Sequence, residues 1–372
     1  MNRHTLQHLH LSPGPGDPPP QKSRPSQNSS PPAAIEFLNA DGVRDLLQNE
    51  LSRTERLRFL LISRKALIDE CAPFDVIPLL KAGVFDAIIA SPLLLQLELG
   101  LHPQMSNGDP APVASIQEAR GVLWLHDVAI EKRLLSNPRA VSSYLLSSPP
   151  FQHIMPSSAL SQKLGRYLKE KERLLKEPES LLSVAYTLGV PILTPYLIAS
   201  QLGKLLAALA LGGNRLTHDP AIDLNEMAGM IHESQQSGAG SLFVSLCGSG
   251  PLWFVLRTLQ FLDTSLGIKT DQARILTLLA DSCIKRDLKE TPSVQILKEE
   301  APSKIFSAYI TNMPSREIMA QLDELASALP ERAPRSLENH REDLVERLRK
   351  SHMEATTLKR WPPLRMRFPK RG

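Results

Sequence analysis

Short, wholly apolar runs alternate along this chain with longer stretches in which apolar residues recur every third or fourth position. The first kind predicts strands buried on both faces, the second amphipathic helices. "DGVRDLLQNELSR" carries Val43, Leu46, Leu47 and Leu51 at helical spacing. "RFLLIS", residues 58–63, predicts a buried strand, "FDVIPLLKAG" a helix, "FDAIIAS" a second strand and "GVLWL" a third. Residues 157–177 predict a long charged helix opened by serine caps. Pro178 predicts the first position of the next helix, with Gly189 just past its end. Residues 190–193 form another short apolar run, broken by Pro195 and followed by Tyr196, Ser200 and Lys204. The helix "DLNEMAGMIHESQQSG" leads into the strand of "AGSLFVSLCGSGP", and "KIFSAYI" is a last strand before the helix "SREIMAQLDELASAL". With no hairpin turn between the runs, the pattern predicts an α/β fold with a doubly wound, mostly parallel sheet.

The pattern stops at both flanks. Residues 1–33 are rich in proline and poor in large apolar side chains, which predicts a disordered arm. The folded domain is expected over 34–330, and the charged helix "SLENHREDLVERLRK" with a basic tail over 331–372 as an appendage. At 372 residues and 42% hydrophobic content, the chain has enough apolar surface for a sizeable core. Its formal net charge is +4, much of it from Lys359, Arg360, Arg365, Arg367, Lys370 and Arg371. Such a tail is expected to be solvated; the alternative, which the interleaved Trp361 and Phe368 raise, is contact with RNA, an acidic partner or a membrane surface, although for the chain as a whole neither a nucleic-acid nor a membrane partner is expected. Cys71, Cys247 and Cys283 are far apart without CxxC spacing, so neither a disulfide framework nor a zinc site is expected. No apolar h-region and no membrane-length run is seen, which points to a cytoplasmic protein without membrane contact.

Strand ends are where an open parallel sheet carries its ligands, yet residues 190–204 hold no acid, histidine or cysteine. The "CGSG" turn at 247–250 follows a strand and opens a helix, as a phosphate site does, but lacks GxGxxG spacing; a tight packing turn explains it equally well. Cys247 has no identifiable histidine partner. His126 and Asp127 admit an acid–base pair or a capped helix start, and His153, His218 and His232 show no ligand spacing. No metal site, triad or paired carboxylate assembles from the residues alone.

The block "PSSALSQKLGRYLKE…EPESLLSVAYTLGVPILTPYLIASQLGK", residues 156–204, resembles deoxyhypusine synthase. Pro156, Ser157, Leu164, Gly165, Pro178, Glu179, Ser180, Pro191, Pro195, Leu202 and Gly203 keep that family's order and spacing. A more diffuse likeness extends over roughly 55–330, through "FLLISRKALI", "LLKAGVFDAIIAS" and "EMAGMIHESQQSGAGSLFVSLCGSG". The resemblance implies a Rossmann-like fold, a homotetramer with NAD and spermidine in clefts between paired subunits, and transfer of an aminobutyl group through an active-site lysine to a lysine of a translation factor.

Position by position, the resemblance also shows what is missing. The family's NAD-contacting aspartate falls on Ala199 and its spermidine aspartate on Lys204. Its Ala-Gly-Gly-Val-Glu-Glu segment falls on residues 92–97, and its histidine pair on Phe254 and Val255. Gln272 replaces a polyamine acid, Leu276 a tryptophan and Leu278 the carrier lysine. Ser63, Arg64 and Ser91 stand where the family contacts NAD. The reading is therefore a catalytically inactive, regulatory subunit that pairs with a catalytic paralogue in a heterotetramer and activates it. The alternatives are a stand-alone nucleotide-binding or scaffolding protein on the same fold, and a diverged active aminobutyl transferase.

Overall fold

The computed structural model describes residues 35–70, 73–101, 122–246, 250–268, 273–278, 306–311, 313–328 and 332–357. The expectations for the arm over 1–33, the basic tail, Gln272 and the three cysteines lie outside these residues.

The main sheet runs from edge to edge through β1 (Ile35–Phe37), β11 (Phe306–Thr311), β10 (Ala273–Leu278), β9 (Ser241–Leu246), β2 (Leu57–Ile62), β3 (Ala87–Ala90) and β7 (Ile192–Leu193). Every neighbouring pair is parallel. All six residues of β2 are buried, because a parallel strand has helices on both faces. Its alternate side chains enter different cores. Leu60 and Ile62 meet the layer formed by α1 (Ala40–Leu51), α2 (Pro73–Lys81), α5 (Ser157–Leu175), α6 (Leu181–Leu188) and α10 (Ser315–Ala328). Leu57, Phe59 and Leu61 meet the opposite layer, α8 (Pro220–Gln236), α9 (Gly250–Gln260) and α11 (Arg341–Thr357). Phe59 also stacks on Phe243 of the adjacent strand, ring centroids 4.7 Å apart. The doubly wound parallel sheet expected from the pattern is thus present.

Local expectations needed correction. "GVLWL" contributes β4 (Val122–Leu125) to an antiparallel hairpin with β5 (Val128–Glu131), outside the main sheet. His126 and Asp127 are therefore a hairpin turn, with His126 in the left-handed region at φ 57°, not a helix start. Asp127 accepts a 2.5 Å hydrogen bond from the Tyr167 hydroxyl. Helix α5 is capped by Pro156 without a side-chain bond. Ser157 instead donates to Asp223 and accepts from the backbone N–H of Thr194, tying α5 to α8 and to the end of β7. Helix α6 begins after an N-cap at Ser180, so Pro178 lies ahead of it and not at its first position. Residues 273–278 form β10 where the reading placed no strand.

The charged helix α11 does not stand apart. Leu344 and Leu348 are buried in the second core, and Arg341 reaches the Glu226 and Glu338 carboxylates at 3.1 and 3.0 Å.

Two kept glycines have a steric reason. A Cβ on Gly165 would lie 2.3 Å from the Leu182 carbonyl oxygen, where α5 crosses α6. One on Gly203 would lie 2.3 Å from the Leu197 carbonyl oxygen. That contact presses α7 (Gln201–Leu211) onto the 3-10 turn before it, Leu197–Ala199.

Candidate functional site

From β2 the chain adds β3 and β7 on one side, then returns as β9 on the other side and continues outward to β10 and β11. The order therefore reverses between β2 and β9. At such a point, the loops leaving the carboxyl ends of neighbouring strands diverge and leave a crevice. A cavity of about 460 Å³ lies there. Its walls come from the ends of four strands: residues 63–65 after β2, 90–93 and Gln96 after β3, Tyr196 and 199–201 with Lys204 after β7, and Gly250 with Pro251 opening α9.

Ser63, Arg64 and Ser91, expected from the resemblance as NAD contacts, all line this cavity. So do Ala199 and Lys204, the two substituted positions of the loop after β7. Both serines also have local work. Ser63 Oγ accepts from the Ala66 N–H at 3.1 Å and Ser91 Oγ from the Leu93 N–H at 3.4 Å, each holding the chain where it turns from strand into helix. Their hydroxyl protons are not used in these bonds. Arg64 is exposed.

The β7 loop is shaped by Ser200, which caps α7 by accepting from the Gly203 N–H at 2.9 Å and donates to the Leu197 carbonyl at 2.6 Å. That cap places Lys204 at the end of the first helical turn, exposed at the cavity rim. Tyr196 sits beneath, against Phe254 and Trp253 at centroid separations of 6.5 and 6.0 Å. Its hydroxyl is buried without a hydrogen-bond partner among the described residues. Burial pushes the phenol's pKa up, offset in part by Arg257. Arg257 lies over the Trp253 ring at 4.7 Å.

The positions assigned by resemblance to the remaining chemistry are apolar or lie elsewhere. Phe254 and Val255 are buried on α9. Leu94 and Leu95 are buried away from the cavity lining, while Leu93 and Gln96, also buried, reach the cavity. Leu278 ends β10, paired in register with Thr311. Sequence reasoning did not single out Lys65 or Gln201, both of which line the cavity. Their signal was adjacency: Lys65 follows Arg64 at a strand end, and Gln201 follows the Ser200 cap.

The other candidates have structural roles. His218 is 2.7 Å from the buried Asp223, and His232 is 3.0 Å from the Ser351 hydroxyl. Among the described residues no cluster of histidine, cysteine and acid side chains suits a metal, and no helix is long and apolar enough to cross a membrane.

A doubly wound parallel sheet with a cavity at its switch point defines the class: an α/β, Rossmann-like protein. The chain is 32% identical over 195 residues to the deoxyhypusine synthase-like proteins of Nostoc punctiforme and of Nostoc sp. PCC 7120. The first match covers 52% of this chain and 50% of the relative, the second 52% and 51%. The corresponding protein of Thermosynechococcus vestitus is 30% identical over 198 residues, 52% of this chain and 49% of that one. The chain spans about half the length of the curated relatives it matches. Over that half, the chain is similar to proteins named deoxyhypusine synthase-like. No family model matches. The crystal structure of a candidate deoxyhypusine synthase from Entamoeba histolytica overlays 78% of this chain and 88% of its own. Its TM-score is 0.44 at 11% identity.

Proposed function

We propose that this chain is a catalytically inactive deoxyhypusine synthase-like subunit, which assembles with a catalytic paralogue in the cytoplasm and activates it. The activated reaction is spermidine-dependent deoxyhypusine formation on a lysine of a translation initiation factor. The observation that carries this reading is the charge of the cavity. Its described lining contains Arg64, Lys65 and Lys204 but no acid, and a polyamine needs carboxylates to hold its ammonium groups. Leu278, at the position of the carrier lysine, offers no amine for an imine. The packing glycines Gly165 and Gly203 are nevertheless kept, each under a backbone carbonyl that only a hydrogen could face. A chain that loses the reacting groups and keeps the close contacts is what a partner-ordering subunit requires.

NAD at this site is part of the same proposal. Ser63, Arg64 and Ser91 would meet its polar groups, and NAD when bound supplies hydride acceptance. The placement of these three residues around one cavity also supports the second reading, a stand-alone nucleotide-binding or scaffolding protein. Co-expression with the same organism's catalytic deoxyhypusine synthase, purification by a tag on this chain alone and assay of spermidine-dependent modification separate the two. The expected outcome is no activity alone and a large gain in the co-purified complex. Failure to associate, with a catalytic copy fully active by itself, sinks the regulatory reading.

A further inference from the structure

We infer that Glu98 and Glu172 form a proton-operated clasp on the amino end of α6. It holds one wall of the switch-point cavity in place while one of the two carboxyls is protonated, and loosens that wall when both are ionised. The clasp acts whatever the cavity binds and whether or not a partner subunit is present.

The cavity wall after β3 is the short helix α3 (Leu93–Glu98), which supplies Leu93 and Gln96 to the lining. Its N-cap, Pro92, offers no side-chain bond, and six residues make a helix that depends on its anchors. Glu98, the last residue, is one such anchor. Its carboxylate accepts from the Leu182 N–H at 3.0 Å, and the Leu181 N–H and the Ser180 hydroxyl bond it as well. Glu172, in the last turn of α5, accepts from the Ser180 N–H at 2.9 Å. Two acids from two different helices thus share the first N–H groups of a third.

A helix amino end favours one negative charge, but two side by side repel, and burial denies them water. Glu172 is buried and Glu98 half-buried. Cations of the surrounding helices are placed elsewhere. Lys81 on α2 and Lys171 on α5 pair with Glu179 and Glu177 at 2.5 and 2.7 Å, and the one cation of α7, Lys204, stands at the cavity rim. Burial first, and then the charge of Glu172, push Glu98 up to about 7 against the N–H donors that favour its anion. The open clasp leaves Glu98 solvated, with its ordinary value near 4.3. Closure is therefore fullest below that value and is lost as pH rises through about 7.

The test is residue-resolved hydrogen exchange on the full chain at about pH 6 and about pH 8.5, each rate divided by the amide's intrinsic rate at that pH. The Gln96, Leu99 and Leu101 N–H groups, bonded to the Pro92, Leu95 and Gln96 carbonyls, report on α3. Their normalised exchange is expected to rise about tenfold, the ratio that a carboxyl near 7 when closed and near 4.3 when open requires. It should also be faster at both pH values than exchange in β2 and β9. In Glu98→Gln the rise is expected to vanish, and in Glu172→Gln, which keeps Glu98 but removes the repelling charge, to shrink. A pH-independent α3, a rise unchanged in either variant, or exchange no faster than in β2 and β9 overturns the inference. So does a response at Leu99 and Leu101 with Gln96 silent, because the cavity wall then stays in place. If Glu98→Gln fails to fold, the parent and Glu172→Gln still decide. Neither outcome touches association with a catalytic paralogue, which co-purification reads.

Discussion

Gly165 has almost no tolerance for a side chain. The Leu182 carbonyl oxygen would lie 2.3 Å from an added Cβ and the Tyr186 Cβ 2.9 Å, so either α5 and α6 separate or the backbone strains. Gly165→Ala is expected to cost about 1–3 kcal/mol, read as a lowered urea midpoint at unchanged slope. Gly250→Ala is the internal comparison. No described residue lies within 4 Å of its added Cβ, and its effect should stay within about 0.5 kcal/mol. Equal effects at the two glycines would refute the steric account. This residue-scale distinction was invisible in the sequence. "LGR" and "GSG" each present a glycine near a helix, but only the crossing of α5 over α6 makes the first one obligatory.

At the scale of elements, α11 is the informative case. Its composition, charged along most of its length, reads as a solvated helix. Leu344 and Leu348 supply only a narrow apolar stripe. What fixes the helix is Arg341 between two largely buried carboxylates, Glu226 and Glu338, with the Ser158 hydroxyl accepting from the guanidinium at 2.9 Å. Removing the shared guanidinium takes the hydrogen-bonding and ion-pair partner from both carboxyls, and where they are ionised it leaves them uncompensated. Arg341→Ala is therefore expected to destabilise by about 1–3 kcal/mol, below the usual range for a fully buried pair because the arginine is partly exposed. Hydrogen exchange should locate the loss on α11 and α8. Unchanged protection there would show that the apolar stripe alone holds the helix. Adjacent elements behaved more simply: β2, β3 and β9 were legible because strands buried on both faces read as unbroken apolar runs. The β4–β5 hairpin escaped notice because its turn, His126–Asp127, carries no glycine or asparagine to announce it.

At the scale of the whole molecule, three acids with pKa values raised by burial make stability fall as pH rises. Burial pushes Glu98 up to about 7, helped by the nearby Glu172, and pushes Glu226 up to about 8; Glu338 is raised by burial as well. A carboxyl whose folded pKa exceeds its unfolded value near 4.3 binds its proton more tightly in the fold. Its stabilising contribution is complete below that unfolded value and is lost as pH climbs through 7 to 8. The urea midpoint should therefore fall between about pH 5.5 and about pH 8.5. Glu98→Gln should flatten the fall, since its amide oxygen can still accept from the Leu182 N–H that Glu98 holds at 3.0 Å. A midpoint that rises over this interval, or a Glu98→Gln curve parallel to the parent's, would contradict the assignment.

The sequence by itself determined the alternation of strands and helices, the parallel character of the sheet and the absence of acids in the loop after β7. Each of these is written in local apolar period and residue type, which no folding event can alter. It also identified Ser63, Arg64, Ser91, Ala199 and Lys204 as positions of interest, though only through resemblance. The tertiary structure alone decided that these five residues, from three separate strand ends, line one cavity, and that Lys65 and Gln201 join them. It alone decided which glycines sit under a carbonyl oxygen and which charged helix is docked. Those outcomes depend on strand order, which places β9 beside β2 although residues 63 to 240 intervene. Contacts at that separation leave no periodic trace in a chain.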